Sequence, residues 1–423
     1  MPSVASTEKK SAGKNSKRKA PEFITYQNAS RAEEAALYYG FSPITIPTVT
    51  KDDLSRVREM IEAESKPRQL PEGEECFLSI CPEEKVALIR TYEEKELYRE
   101  PQPVMLFFAG HFSTNPSRKN ASKEKRYGLE ILGTTKSIAE AILIKTTIEI
   151  LKEEGFENLY IDINSIGDKE SVMRFSKELT AYYRKNINLL PAHCRQTMKR
   201  ETFDLLECPN EKCKPLQDAA PKSLGSLSEI SRKHFTEVLE FLEQMNIPYR
   251  INNALVGNRH FCTHTIFEIR SLDQAEDAEG TPLAVGIRYN NLAKKIGWRR
   301  DLPALGVTIA YRKNEKNGND PKKIKIKKPQ IYFIQLGFEA KLKSLRIIEI
   351  LRQAKIPMLQ ALSKDKLAAQ LSGAEHMKIP YTILIGQKEA MEDSVIVRNM
   401  ASRSQETVKI ASLPEYLKKI KLA

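Results

Sequence analysis

The 423 residues contain no apolar run approaching the roughly 18–20 that a membrane-spanning helix needs. The N-terminus is polar and basic and has no apolar core of a secretory signal, so the sequence reads as cytosolic. Cysteine is sparse, with six residues at 76, 81, 194, 208, 213 and 262, and without a secretory signal these are expected as reduced thiols and not as disulfides. Glycine and proline, at 18 and 22, are not in excess, which excludes collagen-like and low-complexity chains. Acidic charge is the other shortage: 55 Asp and Glu face 68 Lys and Arg, a formal net charge of +13. Such a surface favours a polyanionic partner, because neutralising phosphates releases condensed counterions; the bland reading is a charge excess that keeps the chain in solution.

What is present suffices for two or three domains, with 41% hydrophobic residues and no internal repeat. Residues 1–22 carry Lys9, Lys10, Lys14, Lys17, Arg18 and Lys19 against Glu8 and Glu22. That composition cannot bury a core and reads as a disordered basic tail, either touching RNA backbone or only solubilising. Ala32–Tyr39 reads as a helix running into Gly40-Phe41, and Ile44, Ile46 and Val49 give a strand-compatible pattern. Leu106–Phe108 and Leu129–Leu132 flank a polar, basic loop in the manner of a hairpin with a long connection. Ser137–Glu154 has apolar residues at helical spacing and stops at Gly155. A strand at Leu159–Ile163 follows, then a mostly helical stretch from about 168 to 248, then strand-like segments at Thr265–Ile269, Ala284–Tyr289 and Val307–Ala310.

Lys313–Lys328, Lys-rich and broken by Gly318 and Pro321, marks a boundary. Beyond it the strands Ile331–Leu336, Thr382–Ile385 and Val395–Val397 alternate with helices at Leu342–Gln353, Lys364–Leu371 and Leu413–Lys419, which implies an α/β sandwich. Cys208-Pro-Asn-Glu-Lys-Cys213 has a spacing that zinc can use, but a structural site needs four ligands and no matching pair lies close by in sequence. Two free thiols are the expectation, with no structural metal.

Taken in order, these segments resemble the histidyl-tRNA synthetase family, a class II aminoacyl-tRNA synthetase. Gly40-Phe41 with Ile46-Pro47 resembles motif 1, which in the family builds a dimer interface. Cys81-Pro82-Glu83-Glu84-Lys85, with Arg90-Thr91-Tyr92, sits where the family has Arg-Pro-Glu-Gly-Thr and Arg-Ala-Tyr. Gly110-His111-Phe112 and then Gly128-Leu129-Glu130-Ile131-Leu132-Gly133 follow the outline of motif 2. Ile163–Gly167 is close to Asn-Ser-Leu-Gly, Asn253–Val256 opens the histidine loop, Gly286–Tyr289 resembles Gly-Gly-Arg-Tyr, and Ala304–Arg312 resembles motif 3. Ile379-Pro380-Tyr381, Val397-Arg398 and Glu406-Thr407-Val408 are similar to the anticodon-binding domain. The resemblance implies an α+β class II synthetase core (a mixed, mainly antiparallel sheet with flanking helices) over residues 23–312, with the helical insertion at about 168–248. A linker at 313–328 and a C-terminal α/β anticodon-binding-like domain at 329–423 follow. tRNA and a homodimer through the motif 1-like segment are the implied partners.

Adenylate formation builds charge on the α-phosphate of ATP, so it depends on fixed cations there and on acids that hold the substrate's amino group. Glu83 and Glu130 match carboxylates that in the family grip the substrate, and Arg312 matches the motif 3 arginine that lies against ATP. The motif 2 arginine is Ser113, with Arg118, Lys119 and Arg126 nearby as candidate replacements, Arg118 for ATP. The family's glutamine in the histidine site aligns with Arg126 and its threonine with Lys85, which is expected to place unpaired cations where a substrate ammonium belongs. Where the family reads Arg-Gly-Leu-Asp-Tyr-Tyr, this chain has Gly257-Asn258-Arg259-His260-Phe261-Cys262. The catalytic arginine is thus Gly257, with Arg259 as a stand-in two positions on, and two hydroxyls are lost. Val285 and Ile287 replace glycine on the Gly-Gly-Arg-Tyr strand. His260 and His264 are either ligands or a general base, or they are packing residues.

Two readings follow. One is a paralogue that binds tRNA or regulates, with aminoacylation lost or much reduced, akin in logic to the synthetase-like regulatory subunit of ATP phosphoribosyltransferase, which lacks an anticodon-binding domain. The other is an active histidine–tRNA ligase using ATP and Mg²⁺, with Arg126, Arg118 or Arg259 supplying the missing cations.

Overall fold

The computed structural model describes residues 29–62, 81–112, 124–258, 260–274, 282–312, 328–360 and 366–420. The basic tail, the linker at 313–327 and the motif 2 loop that carries Ser113 and Arg118 lie outside these residues, as does Arg259. Among the described residues no helix is long and apolar enough to cross a membrane.

The first helix, α1 (Arg31–Tyr38), is started by a capping box: Ser30 Oγ accepts from the Glu33 amide at 3.2 Å, and Glu33 accepts from the Ser30 amide at 2.6 Å. It runs into β1 (Ser42–Pro43), a strand of only two residues. The apolar pattern of Ile44, Ile46 and Val49 does not become a strand, because Pro43 and Pro47 have no amide to donate to a ladder. Helices α2 (Lys51–Glu62) and α3 (Pro82–Glu94) precede a long sheet. Its strands are β2 (Val104–Ala109), β3 (Glu124–Leu132), β4 (Leu159–Gly167), β5 (Tyr249–Ile251), β6 (Thr263–Ser271), β7 (Ala284–Arg288) and β8 (Ala304–Arg312). With β1 they form eight strands in the order β1-β2-β3-β8-β7-β6-β4-β5, antiparallel from β2 through to β4 and parallel at both ends.

Alternation along β3 divides the core in two. Tyr127, Leu129 and Ile131 point to one face with Leu305, Val307 and Ile309 of β8, against α4 (Ile138–Glu153). Every side chain of α4 from Ile138 to Leu151 is buried, because α1, α8 (Glu229–Gln244) and the C-terminal domain cover the sides that the sheet does not. Between β4 and β5 the chain is helical: α5 (Lys169–Lys185), α6 (Ala192–Arg200), α7 (Lys214–Asp218) and α8, linked by single 3-10 turns. A four-residue helix, α9 (Leu292–Lys295), follows β7. Helices α3 and α5–α7 pack on the opposite face of the sheet around Leu106, Leu132, Ile266 and Ile287.

The C-terminal sheet has the order β10-β9-β11-β12-β13, from β9 (Ile331–Gln335), β10 (Met358–Gln360), β11 (Tyr381–Ile385), β12 (Ser394–Asn399) and β13 (Gln405–Lys409). Ile331 and Phe333 face α10 (Phe338–Gln353), α12 (Gln387–Met391) and α13 (Leu413–Lys419), whereas Tyr332 and Ile334 face α11 (Leu367–His376). Both faces are apolar, so these strands read as near-continuous hydrophobic runs.

Candidate substrate site

The site that the resemblance implies is the face of the large sheet that carries Glu130. This residue lies between Leu106 of β2 and Gly306 of β8 and is fully buried. Gly306 is required for that: a Cβ there would overlap the Glu130 carboxylate. The carboxylate accepts from the Tyr289 hydroxyl at 2.5 Å and from the ammonium of Lys85, which reaches it from the first turn of α3 and is itself 1% exposed. The Lys85 nitrogen also stands 5.6 Å from the centre of the Tyr289 ring, within cation–π range. Burial raises the Glu130 pKa, and the Lys85 charge and Tyr289 hydroxyl pull it down. The buried Tyr289 hydroxyl is held well above its ordinary value and stays a donor.

Lys85 is therefore not an unpaired cation, and neither is Arg126. From β3, Arg126 Nη2 donates to both carboxylate oxygens of Glu84 at 2.9 Å, with both side chains nearly buried. The pairing has a chemical reason: where the resemblance gives Gly-Thr, this chain has Glu84-Lys85, so one acid arrives together with the two bases Lys85 and Arg126. Glu83, at the second position of α3, is half-buried and has no side-chain hydrogen bond among the described residues.

The chain at residues 252–258 and 260–262 closes the face. It is anchored by the Asn252 amide on Ile163 O at 3.0 Å and by Asn164 Nδ2 on Leu255 O at 3.0 Å. Gly257 has φ +58°, and a Cβ there would lie 2.9 Å from Ile266 Cδ1 and 3.1 Å from Cys262 Sγ. Phe261 and Cys262 turn inward and are buried, and burial pushes the Cys262 thiol up to about 12. Ile287, beside Gly306 on β7, is buried on the same face as Glu130. Aliphatic, aromatic and thiol groups thus occupy the face that carries the buried Glu130 carboxylate.

On the opposite face, Arg288 is fully buried against Glu140 of α4, with Nε on Oε1 at 2.7 Å and Nη2 on Oε2 at 2.5 Å, and it donates to Thr134 O at 2.8 Å. His234 and Thr265 also reach Glu140, at 2.8 and 3.2 Å. Burial would raise the Glu140 pKa, but Arg288 and His234 outweigh it and hold it well below the usual range. His264, at φ +51° on the β4–β6 bulge, faces the His234 ring at 5.2 Å, and burial together with the charges of His234 and Arg288 lowers its pKa to about 4. It belongs to this packing cluster.

Residues 330–420 match the Anticodon binding domain family. The histidine–tRNA ligase of Listeria innocua serovar 6a is 29% identical over 351 residues, covering 80% of this chain and 81% of the relative. Histidine–tRNA ligase 1 of Shouchella clausii is 29% identical over 346 residues, covering 80% of each. The solved structure of apo S. aureus histidyl-tRNA synthetase aligns with a TM-score of 0.50 at 22% identity, over 91% of this chain and 93% of that one. Over about four fifths of its length the chain is similar to histidine–tRNA ligases.

Within the histidyl-tRNA synthetase body plan the expected site residues are distributed unevenly. Lys85, Arg126 and Glu130 converge on the face just described, from α3 and β3, whereas Glu83 sits in the first turn of α3 without joining their hydrogen bonds. Arg312 ends β8 opposite Glu124, and its side chain lies outside the described part, as do Arg118 and Arg259 altogether. Glu84 was not singled out from the sequence, although an added acid beside two added bases is a signal of pairing.

Cys208 and Cys213 are free thiols, as expected, but a third thiol joins them. Cys208 and Cys213 are not isolated thiols: Cys194 Sγ lies 3.5 Å from Cys208 Sγ and 3.3 Å from Cys213 Sγ, and His193 Nε2 lies 3.1 Å from Cys194 Sγ. The partners come from the first turn of α6, with Cys194 lying 14 residues before Cys208.

Proposed function

We propose that this chain keeps the histidyl-tRNA synthetase scaffold as a tRNA-binding or regulatory protein and does not form histidyl-adenylate. The reading rests on one observation, the Lys85 ammonium seated on Glu130. A substrate's ammonium would need the same carboxylate, and an internal, fully buried cation competes with no loss of translational freedom. Arg126, a candidate replacement cation, is engaged by Glu84 at 2.9 Å, and Ser113 offers no charge for an α-phosphate. The net charge of +13 and the C-terminal domain favour tRNA as the partner. A homodimer through the segment around Gly40–Pro47 belongs to the same reading.

Histidine-dependent ATP–pyrophosphate exchange with Mg²⁺, run beside a standard synthetase, tests the loss of chemistry: exchange at background is expected, and robust exchange overturns it. Filter binding of tRNA tests the RNA part. Neutralising six phosphates predicts an affinity loss of about 10³ between 50 and 200 mM salt. A weak response that ignores salt removes tRNA from the proposal.

A further inference from the structure

We propose that His193, Cys194, Cys208 and Cys213 bind one structural zinc ion in the helical insertion. Three of these donors, His193 Nε2 and the sulfurs of Cys194 and Cys208, lie within 4.8 Å of one another, and Cys213 Sγ closes on Cys194 at 3.3 Å. Tetrahedral zinc with bonds of about 2.3 Å to sulfur sets its thiolates about 3.8 Å apart, so Cys194 parts from Cys208 and Cys213 by only a few tenths of an ångström, while Cys213, which is not within 4.8 Å of all three other donors, turns in to complete the set. A disulfide accounts for less of the arrangement. Cys194 is the sulfur that both other thiols approach, and it can bond covalently to only one of them, which leaves a thiol and an imidazole beside it unexplained.

Local structure holds the donors together from two directions. His193 and Cys194 are consecutive in the first turn of α6. Cys208 and Cys213 are brought back on each other by a turn in which Asn210 Oδ1 accepts from the Lys212 amide at 3.0 Å and Asn210 O accepts from the Cys213 amide at 2.8 Å. Gln217 pins the strand of chain before that turn, donating to Leu205 O at 2.9 Å and to Cys208 O at 2.8 Å. Cys194 and Cys213 are buried, Cys208 is half-buried and His193 opens to solvent, which leaves a path for the ion to enter.

The donor set selects the metal. Three thiolates and one imidazole suit zinc and disfavour calcium or magnesium, which demand oxygen ligands. The ion has a structural task, because residues 186–228 contain no helix longer than the nine residues of α6 and are otherwise single turns. With four protein ligands there is no open coordination position, so the site is not a catalytic one.

The test is metal content and coordination in the full-length protein, purified under reducing conditions from zinc-supplemented cells. One zinc per chain is expected, lost in Cys208→Ser and Cys213→Ser and retained in Cys262→Ala, whose thiol lies elsewhere. Because the serine variants can lose metal by misfolding, the wild-type protein is also exchanged with cobalt. Strong thiolate-to-cobalt charge transfer with tetrahedral d–d absorption is expected. Less than about a tenth of a zinc per folded chain, a cobalt spectrum without thiolate bands, or a disulfide among Cys194, Cys208 and Cys213 in the reduced preparation overturns the proposal.

Discussion

The ammonium of Lys85 and the carboxylate of Glu130 form an ion pair in which neither side chain is more than 1% exposed. Removing one member of a buried pair leaves an uncompensated charge and costs about 3–5 kcal/mol, whereas removing both is far milder. Lys85→Thr, which restores the family residue, is therefore expected to destabilise the fold by that amount, and Glu130→Gln likewise. Lys85→Thr combined with Glu130→Gln should cost less than the sum of the single changes. Urea denaturation of the four proteins of this cycle reads the coupling, and additive effects would show that the pair is not formed.

Gly257 stands where the family has its catalytic arginine, and the backbone there has left the region an arginine prefers. Left-handed φ costs a non-glycine residue about 1–2 kcal/mol, and pressing a Cβ against Ile266 and Cys262 adds about 1–3 kcal/mol of overpacking. Gly257→Arg is thus expected to lower stability by at least about 2 kcal/mol in chemical denaturation and to leave pyrophosphate exchange at background. Recovery of exchange by this single change would mean that the loop is intact and only its charge is missing.

How much of this was visible in the chain itself depends on the range of the interaction. Helix α4 was readable from Ile138, Ile142 and Ile150, since helical spacing is local, but its burial on nearly all sides was not, because its covers include α10, some two hundred residues on. Helix α2 was not legible, since its Lys51–Glu62 stretch is dominated by charge. The hairpin of β2 and β3 was legible from two apolar runs, and the resemblance implied a mixed, mainly antiparallel sheet but not the order of its strands. What could not be read was pairing: Lys85 meets Glu130 across 45 residues and Arg126 meets Glu84 across 42, so aligned positions revealed the substitutions without revealing that they compensate one another. The thiol cluster failed for the same reason, since the second ligand pair lies on another element.

Arg352 of α10 ties the C-terminal domain to α1 and α4. It donates to Glu149 at 2.7 Å, to Glu153 at 2.8 Å and to Glu34 at 3.3 Å, and it is 11% exposed. Without it three carboxylates from α1 and α4 face one another and the end of α10. Arg352→Met is expected to cost about 3–5 kcal/mol of docking and to split a single cooperative melt into two transitions in calorimetry. Retention of one transition at an unchanged midpoint would assign the docking to the apolar contact of Phe338 with Phe241 instead.

His264 makes stability depend on pH in a window set by its neighbours. Its folded pKa of about 4 lies below the ordinary 6.5, because burial and then the charges of His234 and Arg288 disfavour the imidazolium, against the opposing pull of Glu140 and Asp168. Between these values the unfolded chain binds the proton that the folded chain refuses, so stability falls as pH drops from about 6.5 towards 4, by up to about 3 kcal/mol. Glu140 pushes the same way only at lower pH: its depressed pKa contributes stability that is present above the ordinary carboxylate value and is lost as pH falls below it. His264→Asn keeps a residue that tolerates the left-handed backbone at φ +51° and removes the titration. Denaturation midpoints measured from pH 7.5 to 4.5 should decline for the wild-type protein and stay nearly level for the variant, and equal slopes for the two would show that His264 is protonated as readily in the fold as in the open chain.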